Sequence, residues 1–236
     1  MIKNRPVTAI IPVRGGSKGI PRKNLLRLGR DTLLERAIKL GRHSPRVERI
    51  VVSTDDPEMH DIAGRYGAAA PVLRPAHLGG DDVTTVDVVC DLIESADIEP
   101  GYLLLLQATS PLRTLADLER MCAEFEAGDA PASVSLSLHE EPHPAKMRVL
   151  DQGLVKPFLG AGFEGPRQQL PPVYAFNGAF YLIDRDAFLT HKSFLPDGTM
   201  GFVMPPERSA NLDTMTDWHI LQAMVEKGYW PLEELD

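Results

Sequence analysis

The sequence predicts an α/β fold built on a doubly wound, mostly parallel sheet. Three observations predict it. Short apolar runs alternate with stretches of helical period through residues 1–138, the order that gives parallel strands flanked by helices on both faces. The first apolar run ends in a glycine-rich turn, as the ligand-binding edge of such a sheet does. The run "YLLLLQ" at 102–107 is continuously apolar, which suits a strand buried on both faces.

The elements follow in order. Residues 7–12, "VTAIIP", read as a buried first strand. "DTLLERAIKLGRH" places Leu33, Leu34, Ala37, Ile38 and Leu40 near helical spacing, with Asp31 as the expected N-cap. "RIVVST" is a second strand. "DPEMHDIAGRYG" is a helix with Asp56 as cap, Pro57 in the first turn and Gly67 as the stop. "VTTVDVVCDLIESA" is another helix. "TLADLERMCAEFEAG" is a further one, capped by Thr114 and closed by Gly128, and "ASVSLSL" alternates as a strand. The pattern breaks over residues 139–176, rich in Pro, Gly and Gln, with short strand-like pieces such as "KMRVL". This segment reads as an excursion inserted in a core of residues 1–138 and 177–236. "GAFYLID" returns to strand pattern and "TMTDWHILQAMVEKG" closes the core as a helix.

The 236 residues suit one α/β domain with a modest extension, at an ordinary globular composition of 43% hydrophobic and 25% charged residues. The net charge of −8 argues against a nucleic-acid partner and against an anionic membrane surface. No apolar stretch approaches the roughly 20 residues of a membrane span, and "VTAIIPV" is too short for a signal peptide. Cys90 and Cys122 are expected to be free thiols of a reducing cytoplasm.

The charge is unevenly spread. Residues 1–30 hold Lys3, Arg5, Arg14, Lys18, Arg22, Lys23, Arg27 and Arg30, and no acid. Within "IIPVRGGSKGIPRKN" at 10–24, Gly15, Gly16 and Gly19 allow close approach and positive φ, while Arg14, Lys18, Arg22 and Lys23 supply counter-charge. A phosphate-bearing ligand fits that combination. Gly15 to Gly19 also matches G-x-S-x-G, but Pro21 and a polar tail follow in place of the helix that a nucleophile elbow needs. His139 to His143 matches H-E-x-x-H, which binds zinc only on a continuous helix, and Pro142 and Pro144 oppose one. The turn is neither G-x-G-x-x-G nor a Walker loop.

The same turn resembles the nucleotide-binding loop of the CMP-sialate synthetases, or acylneuraminate cytidylyltransferases. The likeness continues through "VVSTDDPEMHDIAGRYGA", "LRPAHLGGDD", "LLQATSPLRT", "PRQQLPPVYAFNGAFYLID" and "RSANLDTMTD", in order along nearly the whole chain. The resemblance implies a Rossmann-like nucleotidyltransferase that joins CTP to an acidic sugar and releases pyrophosphate. It assigns Arg14, Gly15, Gly16, Ser17, Lys18, Lys23 and Asn24 to the nucleotide phosphates and ribose, and Arg74 and Asp81 to the nucleoside. It turns Gln107 to the acceptor and sets Asn177 and Gly178 at the floor. It makes the excursion a dimerisation arm that brings Lys146 and Arg167 over the site of a second copy. Mg²⁺ falls to Asp213, with Asn211 beside it. Arg14, Lys23 and Asp213 are the expected catalytic residues, with Lys23 the most important cation.

Two departures bear on the acceptor. The family's Asp-x-Asp is Asn211-Leu212-Asp213 here, and "GGDDVTT" carries an extra Asp82 in place of a hydroxyl-rich run. A neutral amide is no general base, whereas an already anionic oxygen nucleophile needs none. The resemblance makes a nonulosonic, sialic-type acid the leading acceptor, and the missing carboxylate keeps a small phosphonate such as phosphonoformate as the alternative. A hydrolase using Ser17 and a nucleotide sensor without turnover stand as rivals from other classes.

Overall fold

The computed structural model describes residues 1–16, 19–70, 73–80, 82–160 and 165–236. The strands are β1 (Val7–Pro12), β2 (Arg27–Leu28), β3 (Asp31–Thr32), β4 (Arg49–Ser53), β5 (Tyr102–Leu105), β6 (Ala132–His139), β7 (Arg148–Asp151), β8 (Leu154–Pro157), β9 (Val173–Asp184) and β10 (Met200–Met204). The helices are α1 (Leu33–His43), α2 (Pro57–Arg65), α3 (Thr85–Ser95), α4 (Leu115–Glu126), α5 (Arg185–His191) and α6 (Met215–Glu226).

Six strands form one sheet in the order β10-β6-β9-β5-β1-β4. β1 runs parallel to β4 and β5, and β10 parallel to β6. β9 alone in this sheet is antiparallel to both its neighbours. The chain leaves β1 toward β4 at one edge and returns to β5 on the other side. The carboxyl ends of β1 and β5 therefore flank the point where strand order reverses, which is where open α/β sheets bind ligands.

The pleat of β1 explains the two layers. Val7, Ala9 and Ile11 face one core with Leu33, Leu34 and Ile38 of α1. Ile10 faces the other, with Val88, Val89, Leu92 and Ile93 of α3. A strand buried on both faces has no alternation to read, which is why it appears as an unbroken apolar run. Four helices open on Thr followed three residues later by an acid: Thr32/Glu35, Thr84/Asp87, Thr114/Asp117 and Thr214/Asp217 form reciprocal capping boxes. Asp56 caps α2 as expected. Asp31 does not cap α1. It lies in β3 and accepts from Lys39 Nζ at 2.8 Å, leaving the cap to Thr32.

The excursion is partly sheet. β6 and β9 stay paired out to His139 and Val173, so the returning strand begins at Val173, before the expected boundary at 177. Beyond it, β7 and β8 form a separate hairpin whose residues are all exposed. Cys122 is buried, which pushes its thiol up to about 12, and Cys90 is likewise free. No described helix is long and apolar enough to cross a membrane.

Candidate active site

An open cleft of about 460 Å³ lies at the carboxyl ends of β1 and β5. Pro12, Val13, Arg14 and Gly19 line it from the turn after β1, Lys23 and Asn24 from the short helical turn that follows, and Gln107, Ala108 and Thr109 from the turn after β5. Arg74, Leu78, Gly80, Val83 and the α3 start at Thr84–Thr85 close one side, and Asp213 closes another. Among the described residues lining it, Asp213 is the single carboxylate, against the cations Arg14, Lys23 and Arg74. The cleft therefore favours an anion.

The glycine turn works by close approach. Arg22, not a glycine, takes the left-handed conformation here, at φ 53°. A Cβ on Gly19 would lie 2.6 Å from the Asp213 carbonyl oxygen, nearer than a side chain tolerates. Gly15 donates its N–H to Asp55 Oδ1 at 2.8 Å, and Arg22 Nη2 reaches Asp56 Oδ2 at 3.1 Å. The turn between β4 and α2 thus clasps both ends of the basic loop. Gly16 has nothing within 4 Å of its would-be Cβ.

Lys23 Nζ donates to the Leu212 carbonyl at 2.7 Å and meets Asp213 Oδ1 at 3.4 Å. Asn24 is buried, and its Nδ2 donates to the Arg14 carbonyl at 3.2 Å. Arg14 Nη1 approaches the Gly80 carbonyl at 3.5 Å, across the cleft mouth. Arg74 is buried: Nε donates to Ser53 Oγ, and Nη2 to the carbonyls of Val13 and Ser53. It ties the ends of β1 and β4 together while lining the cleft. Burial lowers its pKa, the Asp55 charge opposing the shift.

The other end is held by polar bonds between distant segments. The expected acceptor contact Asn177 is instead buried in the structure. Its Oδ1 accepts from Ser135 Oγ and the Ala179 N–H, and its Nδ2 donates to Ser209 Oγ at 3.0 Å. Asn177 is a brace, with its amide already spent on protein. Gly178 beside it has φ +73°, and an added Cβ would lie 2.6 Å from Gln107 Oε1 and 2.8 Å from Ser110 Oγ. Gly178→Ala is expected to cost about 1–3 kcal/mol from backbone strain and overpacking. Denaturant unfolding measures that cost.

The segment bearing Asp213 is fastened at several points. Leu212 N–H donates to the Thr109 carbonyl, and Asp213 N–H to Asp217 Oδ2. Arg208 makes a two-pronged contact with Asp117, Nε to Oδ2 at 2.8 Å and Nη2 to Oδ1 at 2.9 Å. Asn211 Nδ2 donates to Asp213 Oδ2 at 3.0 Å, so the amide holds the carboxylate by its nitrogen. Burial pushes the Asp117 carboxyl up, but hydrogen bonds from Arg208 and Thr114 outweigh it and leave the pKa lowered. A lowered carboxylate stabilises the fold above its unfolded pKa and loses that contribution as pH falls through the folded one. Arg208→Met is therefore expected to cost about 2–3 kcal/mol near neutral pH. The difference from the parent should shrink as pH falls below about 4, which denaturant melts across pH will show.

Ser17, Lys18 and Asp81 lie outside the described residues, as does the Arg167 side chain. Lys146 is exposed on the excursion and does not line the cleft. His139 and His143 do not share a helix: the first ends β6, the second caps a short turn, and their Nε2 atoms meet the carbonyls of Pro142 and Pro171. No group of three or more His, Cys, Asp or Glu suited to a metal occurs among the described residues. Sequence reasoning missed Arg208, Asp117 and Ser110; the Thr-x-x-Asp cap at 114–117 is a local signal for Asp117 alone.

A doubly wound sheet with an anion-seeking cleft at its switch point is the arrangement in which open α/β proteins bind their ligands. The cytidylyltransferase family profile matches residues 8–149. A CMP-N,N'-diacetyllegionaminic acid synthase of Legionella pneumophila is 34% identical over 229 residues, covering 93% of this chain and 96% of that protein. An N-acylneuraminate cytidylyltransferase of Streptococcus agalactiae serotype V is 32% identical over 216 residues, 90% of this chain and 52% of that protein. The chain thus spans about half the length of the streptococcal relative. A solved CMP:2-keto-3-deoxy-manno-octonic acid synthetase complexed with CTP shares the fold at TM-score 0.69 and 17% identity, over 94% of this chain and 99% of that one. The chain belongs to the cytidylyltransferase family.

Proposed function

We propose that this protein transfers CMP from CTP to a nonulosonic, sialic-type acid and releases pyrophosphate. The observation that carries the reading is the cleft at the switch point, with Arg14 at its mouth and Lys23 beside Asp213, the one carboxylate among the described lining residues. The names of the Legionella and streptococcal relatives support an acid sugar as acceptor. In the reaction, an acceptor hydroxyl oxygen forms a bond to the α-phosphorus in line. The bond from that phosphorus to the bridging oxygen breaks, pyrophosphate leaves, and the hydroxyl proton passes to solvent. Such transfers depend on positioning and charge neutralisation. Lys23 and Arg14 steady the leaving pyrophosphate, and Gln107 orients the acceptor.

The donor set fits Mg²⁺. This ion is held by one or two carboxylates with substrate phosphates and water, and needs no all-protein cage. Asp213 would hold it, with the Asn211 carbonyl as a neutral neighbour, and the ion would neutralise phosphate charge. A CTP-dependent reaction suits a cytoplasmic protein. The hairpin exposes Leu150 at 77%, and Leu154 and Val155 at 67% each, beside Phe158 and Leu159. Apolar residues so grouped call for a cover, which a second copy would supply, bringing Lys146 and Arg167 toward the neighbouring cleft. Light scattering at micromolar concentration is expected to give about twice the chain mass of 26.0 kDa; a stable monomer removes the dimer.

The test of the reaction is incubation with CTP, Mg²⁺ and a panel of acids, with CMP conjugates read by mass and pyrophosphate by a coupled assay. N-acylneuraminate, legionaminic and pseudaminic acids and phosphonoformate form the panel. A conjugate with a sugar acid supports the proposal. CTP binding with no conjugate of any acid overturns it in favour of a sensor, and labelling of Ser17 by a serine-directed probe in favour of a hydrolase.

A further inference from the structure

Behind the wall of the cleft lies a guanidinium that no described carboxylate neutralises. Arg113 follows the turn after β5, and its side chain is buried. Nη1 donates to the Gln107 carbonyl at 2.6 Å and to the Ala179 carbonyl at 3.0 Å. Its Cζ sits 5.8 Å from the centroid of the Phe180 ring. Among the described residues it forms no ion pair. Burial, and after it the charge of Arg36, pushes its pKa down to about 9, so it still carries its charge near neutrality.

An unpaired buried charge is costly. Two carbonyls alone do not require a cation there. What distinguishes them is what they carry. The Gln107 carbonyl belongs to a residue that lines the cleft and that the proposed reaction turns toward the acceptor. The Ala179 carbonyl lies in β9 just past Asn177 and Gly178, where the pairing with β6 shifts register, and the Gln107 side chain lies so near Gly178 that an added Cβ would stand 2.6 Å from Oε1. One nitrogen thus fixes both the residue that bears the amide and the surface against which the amide rests. Lysine offers a point charge on a flexible stem and cannot reproduce the planar fork.

We propose that Arg113 is a positioning residue for cytidylyl transfer, holding the Gln107 and Ala179 carbonyls together so that the Gln107 side chain is presented to the acceptor. This rests on the cytidylyltransferase reading above. The charge strengthens the hydrogen bonds by which the guanidinium holds the two carbonyls.

The test is a double-mutant cycle on the full chain, with CTP, Mg²⁺ and the first acid of the panel that yields a CMP conjugate. Arg113→Lys should raise the acceptor KM about tenfold, since small misplacements of an orienting group are costly, and change the CTP KM less than twofold. Gln107→Ala should raise the acceptor KM similarly. The double variant should be no worse than Gln107→Ala alone, because misplacing an absent side chain has no consequence. Arg113→Gln keeps a donor without the charge and serves the same cycle should the lysine variant fail to fold. Thermal melts of each variant accompany the kinetics. Additive effects, or equal rises in both KM values, mean that Arg113 acts only on general stability and overturn the proposal. A Gln107→Ala variant with an unchanged acceptor KM overturns it by removing the acceptor contact. No conjugate from the parent chain overturns the reaction itself, and the two failures are told apart because the latter appears before any variant is made.

Discussion

Replacing Lys23 with alanine should lower kcat/KM by about 10²–10³-fold, the loss seen when a charge-assisted contact to a transition state is removed, while the fold survives. The side chain is 16% exposed, and its ammonium lies between the Leu212 carbonyl and Asp213 Oδ1 at the cleft rim. In a partly desolvated site a cation acts more strongly on developing phosphate charge than it does in water. The folded state gives up one hydrogen bond to backbone and one ion pair with an exposed carboxylate, together worth about 1 kcal/mol. Activity and stability should therefore separate. Pyrophosphate release measures the first and a thermal melt the second. Near-parental turnover by Lys23→Ala would show that this loop does not hold the reacting phosphates.

Elements with strong local signals were legible from the residues alone. The apolar runs of β1, β4 and β5 and the helices with Thr-x-x-acid starts fall where their patterns place them. Asp31 misled because it precedes Thr32, and only tertiary pairing with Lys39 shows that the acid belongs to an ion pair. β10, "MGFVM", and the seven-residue α5 were not singled out, since each is too short to show a period. The antiparallel sense of β9 depends on how the excursion returns, which no local pattern records. In the site, the basic loop was legible because its glycines and cations are consecutive. Gly15 and Gly19, however, serve close approach to Asp56 and to the Asp213 backbone rather than positive φ. Asn177 and Arg113 were not legible in their observed roles. The first bonds to Ser135 and Ser209, the second to Ala179, and these partners lie tens of residues away along the chain.

The second large effect is expected at Asp213. Asp213→Asn preserves shape and removes the single carboxylate among the described residues lining the cleft. Ligand charge sets the affinity of hard cations, so the variant should need much more Mg²⁺ and lose about 10²-fold or more in kcat/KM as transition-state charge goes uncompensated. Calorimetric titration of CTP binding with and without Mg²⁺ separates the metal from turnover: the parent should gain affinity from Mg²⁺ and the variant should not. Asn211 sharpens the argument. Its Nδ2 donates to Asp213 Oδ2, so the amide orients the carboxylate without adding charge. Asn211→Asp would place two carboxylates in contact, and a divalent cation between them should lower the Mg²⁺ concentration for half activation by about tenfold. Because this amide acts on the carboxylate and not on the acceptor, the same substitution should leave the preference for a sugar acid over phosphonoformate unchanged. Parallel assays of both acids decide it. A parent that turns over phosphonoformate as fast as the sugar acid, and loses that ability in Asn211→Asp, would mean that the missing charge selects an acceptor whose oxygen is already anionic.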